Sequence, residues 1–242
     1  MARVMIALLM VLAGGCSSLS YYSQSIAGQI EILSQRRPIA DILEDPHAPE
    51  WTKSALAFVT EIRSFAQDRL LLPDNGSYRS FVELGRPYVA WNVFATPALS
   101  LEPLRWCYPF AGCLSYRGYF SEREARAYAR ELESRGLDVF VGGVVAYSTL
   151  GWFADPVLDT MTRRGNLELA KVIFHELAHQ RLYIEGETDF NEAFADAVAL
   201  IGVRLWFSGR LGPEYEAFQR DQQTEDRFTS LMLDYKSRLE NL

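Results

Sequence analysis

The stretch that most constrains this chain is KVIFHELAHQRLYIEGETDFNEAFADAVALIG, residues 171–202, which holds two of its three histidines. His175 and His179 are four positions apart in a segment whose apolar residues recur with helical spacing. Residues four apart on a helix project from the same face, so the two imidazoles would lie side by side. Burying such a pair without a partner would be costly. The pattern therefore predicts a helix over 168–184 that presents two potential ligands together.

Two neutral imidazoles at this spacing can chelate one zinc ion at about 2.0–2.1 Å each. Glu176 follows the first histidine, where it could take a proton from a zinc-bound water. The alternative is a solvated helix with scattered charges, but the apolar neighbours Phe174 and Leu177 argue against it. The remaining histidine, His47, lies in a proline-flanked turn and is interpreted as a surface residue. The pattern thus predicts His175 and His179 as zinc ligands and Glu176 as the catalytic base.

A third ligand is expected from the next helix, which is predicted to begin near Asp189 as its N-cap. Glu192 and Asp196 are one turn apart on this helix, as the two histidines are on the previous one. Antiparallel helices joined by a turn at 185–186 would set the two pairs against each other. Glu192 would then bind zinc, and Asp196 would accept the second N–H of a ligand histidine, leaving a fourth position open. The alternative is a capping glutamate and a solvated aspartate.

The N-terminal sequence MARVMIALLMVLAGGCSS predicts that residues 1–15 are a signal peptide, because its apolar run is too short to span a membrane. The ending Ala-Gly-Gly-Cys resembles the bacterial lipobox, in which Cys16 would become the lipidated first residue. By analogy, Ser17 favours the outer membrane facing the periplasm. The alternative is a secretory signal with an incidental cysteine. The interpretation implies a chain anchored in lipid at the cell envelope.

Cys107 and Cys113 flank a short loop, and a disulfide between them is permitted outside the cytoplasm. Closing so short a loop stabilises by about 2–3 kcal/mol at most. Two buried thiols remain the alternative. A zinc site on this pair is not expected, because no second cysteine pair or nearby histidine completes it.

The rest of the chain predicts an α+β, mostly helical protein with a small sheet beside the central helix pair. No internal repeat or linker interrupts residues 16–242, so a single domain is expected. A net charge of -7 leaves no basic surface for nucleic acid. The predicted elements are helices over 17–38, 39–43, 51–70 and 121–135, a strand over 88–93, an irregular or hairpin region over 95–120, and a strand or hairpin over 138–149.

The two helices of the opening stretch resemble the gluzincins, the thermolysin-like metallopeptidases, in which HExxH is followed by a helix bearing N-E-x-x-x-D. The resemblance implies a zincin-like core that binds zinc and hydrolyses peptides. The separation between the two motifs is shorter than in thermolysin, so it implies a tight turn and no inserted subdomain. The matching residues are His175, Glu176, His179, Asn191, Glu192 and Asp196.

A closer resemblance, over nearly the whole mature chain, is to a family of bacterial lipoproteins known as predicted aminopeptidases. It implies a zinc-dependent peptidase at the cell envelope with a peptide as substrate. Two alternatives stay open, a metal-binding envelope lipoprotein without turnover and a zinc hydrolase of a non-peptide amide. The matching stretches are GRPYVAWNVFATPALSLEP, WCYPFAGCLSYRGYF, AYSTLGWFADPVLDT, FHELAHQRLYI and NEAFA.

Peptide hydrolysis needs a donor for the oxyanion, and the sequence does not choose among several tyrosines. The stretch AYSTLGW could be an edge strand that pairs with an extended peptide, or an ordinary core strand. The candidate donors are Tyr147, Tyr183, Tyr215 and Tyr235.

Carboxylates that hold a substrate amine would be needed for aminopeptidase activity, and Asp155 and Asp159 precede the metal helix at a suitable place. Arg86 and Arg117 lie beside aromatic residues. They could bind a substrate carboxylate, but a role in packing and ion pairing is favoured.

Overall fold

The structure, a computed structural model, describes residues 21–108, 112–149, 151, 153–208 and 212–240. The predicted signal peptide and Cys16 lie outside these residues. Contacts divide the chain into two compact units, one of residues 21–36 with 82–146 and one of 37–81 with 147–240. The expectation of a single domain over 16–242 stays a prediction.

Eight helices and eight strands are found in the described residues, and the content is α+β with helix dominant. None of these helices combines the length and the hydropathy needed to cross a bilayer. The helices are α1 (21–34), α2 (Ile39–Glu44), α3 (Glu50–Leu70), α4 (Glu122–Ser134), α5 (Asp159–Thr162), α6 (Asn166–Arg181), α7 (Thr188–Phe207) and α8 (Pro213–Glu240). The strands are β1 (Arg37–Pro38), β2 (Ser80–Val82), β3 (Ala90–Pro97), β4 (Trp106–Tyr108), β5 (Gly112–Leu114), β6 (Arg117–Tyr119), β7 (Leu137–Val144) and β8 (Val157–Leu158).

The first unit is built on an antiparallel sheet with strand order β6-β3-β7. Alternate residues of β3 are buried, which gives the sheet one apolar face. Helix α4 covers that face. Its start matches the sequence prediction, because the Ser121 hydroxyl accepts a hydrogen bond from the Glu124 amide at 3.4 Å. The core residues are Trp91, Val93, Ala95, Tyr119, Ala125, Ala129 and Leu132.

Both arginines considered as ligand-binding residues are engaged within this first unit. The Arg117 guanidinium lies 4.0 Å from the ring centroid of Tyr21 and 4.7 Å from that of Tyr128. Arg86 donates hydrogen bonds to the main-chain carbonyls of Phe120 and Val89. These contacts match the structural interpretation of the two side chains.

The irregular region predicted over 95–120 contains the hairpin of β4 and β5, in which Cys107 pairs with Cys113 across the ladder. A disulfide joins these two residues, with their Cα atoms 3.9 Å apart. The prediction that AYSTLGW forms an edge or core strand is wrong for residues 146–149. These residues are irregular, and β7 ends before them at Val144. Leu150 and Trp152 of this stretch lie outside the described residues.

The second unit contains a three-stranded sheet, β1-β2-β8, and the helices α3, α6 and α7 packed against one another. Three of the six buried residues of α7 are alanine or glycine, and this small-residue face lets the helix approach its neighbours closely. A Cβ on Gly202 would lie 2.7 Å from atoms of both Leu70 in α3 and Phe174 in α6. The buried residues of α7 are Asn191, Ala195, Ala199, Gly202, Val203 and Phe207.

The turn between α6 and α7 follows the prediction, with Gly186 at a φ of +83°. The predicted N-cap at Asp189 is wrong. Glu187 occupies the cap position and provides no side-chain hydrogen bond, while Asp189 lies in the first turn. A carboxylate in the first turn interacts favourably with the helix dipole, so Asp189 supports the helix start without capping it. Helix α8 lies outside the elements predicted from the sequence.

Candidate metal centre

Helix α6 presents the two histidines toward a common point, as their spacing predicts. The Nε2 atoms of His175 and His179 are 3.0 Å apart, and the two rings are nearly perpendicular. If both Nε2 atoms carried a proton at this distance, the two N–H groups would repel each other, so at most one of them is protonated. The arrangement therefore suits a shared electrophile, and a metal ion is the usual one.

Helix α7 brings a carboxylate to the same point. The Glu192 carboxylate oxygens lie 3.4 Å from Nε2 of His175 and 3.6 Å from Nε2 of His179. Donor atoms bound at 2.0–2.1 Å to one tetrahedral ion are about 3.3–3.4 Å from one another. The 3.4 Å distance is to Oε2 of Glu192 and the 3.6 Å distance is to Oε1, and one ligand atom from each of the three residues lies within 4.8 Å of the others. The cluster can therefore hold one ion after a small rotation of the Glu192 carboxylate.

The donor set contains three residues, with no fourth histidine, cysteine or carboxylate in the cluster among the described residues. His179 is buried, whereas the Glu192 side chain is 56% exposed. Solvent therefore reaches the centre from the side of α7. A catalytic site needs such an open position, while a structural zinc site is closed by a fourth protein ligand.

Asp196 fixes the orientation of the first histidine. Its Oδ1 atom lies 3.0 Å from Nδ1 of His175, so the carboxylate accepts a hydrogen bond from the N–H of that nitrogen. A neutral imidazole protonated on Nδ1 has its lone pair on Nε2, the atom that faces His179 and Glu192. Nδ1 of His179 is buried and has no hydrogen-bond partner in the part of the chain that the structure describes.

The charges at this centre are arranged to hold a cation. Burial alone would lower the pKa of His175, but the carboxylates of Asp196 and Glu192 outweigh it and raise that pKa to about 9. The hydrogen bonds from His175 and His179 lower the pKa of Glu192 to about 2, and His175 also lowers the pKa of Asp196. A metal ion would replace the proton that these carboxylates hold on His175.

Glu176 lies beside the donor set and is not part of it. Burial raises the pKa of its carboxyl, while the positive charges of His175 and His179 act in the opposite direction. A half-buried carboxylate with a raised pKa is a stronger base than an exposed one, which suits proton abstraction.

Asn191 clamps the turn that connects the two ligand helices, a role that the sequence analysis does not assign. Its side-chain oxygen accepts the Ile184 amide at 2.9 Å, and its Nδ2 donates to the Ile184 carbonyl at 2.7 Å. Asn191 is only 1% exposed and immediately precedes Glu192. It thus holds the chain after His179 against the start of α7. In the sequence, the feature that could have indicated this role is the position of Asn191 in the N-E-x-x-x-D pattern.

The two aspartates considered for amine recognition are occupied by local contacts. Asp155 is 3% exposed, and its carboxylate accepts hydrogen bonds from the Ser148 hydroxyl at 3.1 Å and from the amide and hydroxyl of Thr149. Asp159 is buried and pairs with Arg163 at 2.8 Å. These contacts organise the chain before α6, and neither carboxylate belongs to the donor cluster. The charge of Asp155 nevertheless adds to the burial that raises the pKa of Glu176.

Of the four tyrosines considered as oxyanion donors, the structure brings Tyr183 beside the centre. Its ring centroid is 6.3 Å from that of His179, and the residue is 41% exposed. Tyr215 stacks against Phe207 and Phe218, and Tyr235 lies exposed on α8. Of these three, Tyr183 is therefore the one whose ring lies beside a proposed ligand.

Comparison with known proteins supplies one positive finding. The model of a protein family described as "Putative aminopeptidase" matches residues 20–242, nearly the whole chain. No curated protein and no solved structure gives a significant match. The match includes both helices of the candidate metal centre. The chain therefore belongs to the family described as "Putative aminopeptidase", a name that indicates peptidase activity.

Proposed function

We propose that this protein is a zinc-dependent peptidase, acting as an aminopeptidase at the bacterial cell envelope. The observation that carries the proposal is the convergence of two imidazole nitrogens and one carboxylate at 3.0–3.6 Å from one another. Membership of the family adds the reaction class. The HExxH pattern and the acidic helix add the resemblance to zincins.

The chemistry of the donors favours zinc. Two imidazoles and one carboxylate, with one side open to solvent, form the usual ligand set of catalytic zinc in hydrolases. Magnesium and calcium prefer sites built of oxygen atoms alone. When bound, zinc supplies a Lewis acid that polarises a carbonyl oxygen and makes water more acidic.

The side chains around the ion divide the remaining work. Glu176 accepts the proton of the attacking water and delivers it to the leaving amine, which its raised pKa favours. Asp196 keeps Nε2 of His175 turned toward the centre. The Tyr183 hydroxyl is the group proposed to donate to the oxyanion.

The cellular location rests on the N-terminal sequence and on the disulfide. The lipobox-like ending at Cys16 supports a lipid anchor, and the bond between Cys107 and Cys113 fits an oxidising compartment. Radiolabelled palmitate would be incorporated into the wild-type protein in cells and not into Cys16→Ser. Equal labelling of both proteins, or none of either, contradicts the anchor.

A pair of matched variants tests the activity. Purified protein is expected to hold one zinc ion per chain and to release amino-terminal residues from a peptide library. Glu176→Gln should keep the zinc content and the unfolding temperature but lose at least about 10²-fold in kcat. Glu185→Gln removes an exposed carboxylate in the turn after α6 and serves as the control, with activity unchanged.

The outcomes separate the proposal from its alternatives. Cleavage of cell-wall muropeptides or acylated amides without cleavage of the peptide library would indicate a hydrolase of non-peptide amides. Zinc binding without hydrolysis of either class would indicate a metal-stabilised lipoprotein that binds partners. Undiminished hydrolysis by Glu176→Gln would contradict the mechanism.

A further inference from the structure

The C-terminal helix α8 leaves the body of its unit after its first turns. Phe218 is 5% exposed, and Lys171 of α6 lies 3.9 Å from Glu225. From Gln223 to Glu240 every residue of the helix is exposed. In proteins, packing of an apolar face supplies most of the stability of a helix. The exposed part of α8 therefore calls for a partner.

An apolar stripe follows the exposed part of α8. Its five side chains all lie within about 100° of one another around the helix, at 100° per residue. Leu233 is exposed as well but points about 140° away from the centre of the stripe. The members of the stripe are Phe228 at 62% exposure, Leu231 and Met232 at 52%, Tyr235 at 50% and Leu239 at 52%.

The order of residues along this stripe is that of a coiled coil. Three of its members, Phe228, Leu231 and Tyr235, are separated by three and four positions, as successive a, d and a residues are. Arg238, which is not part of the stripe, takes the next d position. The residues beside the stripe are both acidic and basic, whereas helices that lie on membranes carry mostly lysine and arginine on the polar face. A second helix of similar character fits this stripe better than a lipid surface.

We propose that α8 pairs with α8 of a second copy of this chain, antiparallel and about a two-fold axis. In that arrangement an a residue of one helix meets a d residue of the other. Phe228 packs against Leu231 of the second copy, and Thr224 packs against its Tyr235. Each contact occurs twice because of the symmetry.

Charge complementarity selects the antiparallel arrangement. The same alignment sets Arg238 against Asp221 of the second copy at both ends of the seam. It also sets Arg227 against Asp234 of the second copy at the flanking g positions. In the single chain Asp234 has only a loose exposed contact with Arg238, at 3.9 Å. A parallel pair would instead place Arg238 against Arg238 and Asp221 against Asp221.

Sedimentation equilibrium tests the pairing on purified protein carrying Cys16→Ser, so that no acyl chain drives association. We expect a reversible dimer over about 1–100 μM protein. Leu231→Lys places a charge in the seam and should leave the protein monomeric. Leu233→Lys is the matched control, because this residue is equally exposed but points away from the seam, and it should dimerise like the wild type.

A charge exchange tests the alignment itself. In the Asp234→Arg variant, like charges meet at positions 234 and 227 of the two copies, once on each side of the two-fold axis. This repulsion should weaken the dimer about tenfold or more. The double variant Arg227→Asp with Asp234→Arg restores opposite charges and should restore the dimer. Circular dichroism confirms that each variant keeps its helix content.

Several outcomes would overturn the pairing. A wild-type protein that stays monomeric over the whole range excludes α8 as a self-association surface. A Leu233→Lys control that dissociates like Leu231→Lys excludes the apolar stripe as the seam. A double charge variant as weak as Asp234→Arg excludes the antiparallel alignment. A monomer that co-sediments with phosphatidylethanolamine–phosphatidylglycerol vesicles, and loses this binding in Leu231→Lys, shows that lipid covers the stripe instead.

Discussion

Replacing Asn191 by alanine should weaken the metal centre without touching any proposed ligand. The asparagine side chain makes two hydrogen bonds to the main chain of Ile184, at 2.9 and 2.7 Å, and is 1% exposed. Because the bonds fix the turn between α6 and α7, their loss frees Glu192 relative to His179. The change therefore affects both the stability of the fold and the affinity for zinc.

The loss of stability can be worked out from these contacts. A hydrogen bond contributes about 1 kcal/mol net, so two bonds contribute about 2 kcal/mol. Ile184 is 43% exposed, so water can reach the freed groups and the larger penalty for buried unsatisfied atoms does not apply. The space left by the amide adds a cavity term of about 1 kcal/mol. Asn191→Ala should therefore lower the free energy of unfolding by about 2–3 kcal/mol.

The zinc affinity should fall about 10–100-fold, the usual effect of removing a group that orients a ligand. Urea unfolding of the metal-free protein measures the first quantity, and competition with a zinc-chelating dye measures the second. Asn166→Ala, which removes an exposed asparagine at the start of α6, is the matched control. If Asn191→Ala binds zinc as tightly as the wild type, the clamp does not position Glu192, whatever the stability.

Three further predictions concern charge and covalent bonding. Metal-free protein should be most stable between about pH 4.5 and 6.5 in urea unfolding. The stabilisation from His175 is lost as the pH rises from 6.5 to the pKa of about 9 that this residue has in the folded protein. The stabilisation from Glu192 is lost as the pH falls from 4.5 to its folded pKa of about 2. A free energy of unfolding that does not change with pH would contradict the charge coupling. Asp196→Asn should bring the histidine pKa below about 9 in an NMR titration and weaken zinc binding about 10–100-fold, and an unchanged pKa would contradict the hydrogen bond. Reducing the bond between Cys107 and Cys113 should lower the free energy of unfolding by about 2–3 kcal/mol at most, measured with and without reductant; an unchanged free energy would contradict a stabilising role for the bond.

The clustering of His175, His179 and Glu192 could be predicted from the sequence because the information for it is local. Helical spacing alone places His175 beside His179 and Glu192 beside Asp196, and a short connection leaves the two helices few ways to pack other than antiparallel. Helix α4 was predictable for the same reason, since Ser121 and Gly136 mark its ends chemically. Such features need no knowledge of distant contacts.

The features that were missed depend on tertiary contacts. The apolar stretch after β7 reads as a strand, yet Ser148 and Thr149 use their hydroxyls to bind the buried Asp155, so no ladder forms. Asp189 has the chemistry of an N-cap, but helix α7 begins two residues earlier, after Glu187. The roles of Asn191 likewise follow from the path of the turn and not from residue type.

The small-residue face of α7 limits which substitutions the helix can accept. Gly202 leaves no room for even a methyl group between Leu70 and Phe174, and it lies about 15 Å along the helix from Glu192. Even alanine at this position would require the Leu70 side chain or the Phe174 ring to move, or α7 to shift away from α3 and α6. A shift of the helix would carry Glu192 and Asp196 away from the two imidazoles together, so a substitution far from the donor atoms would act on both acids at once.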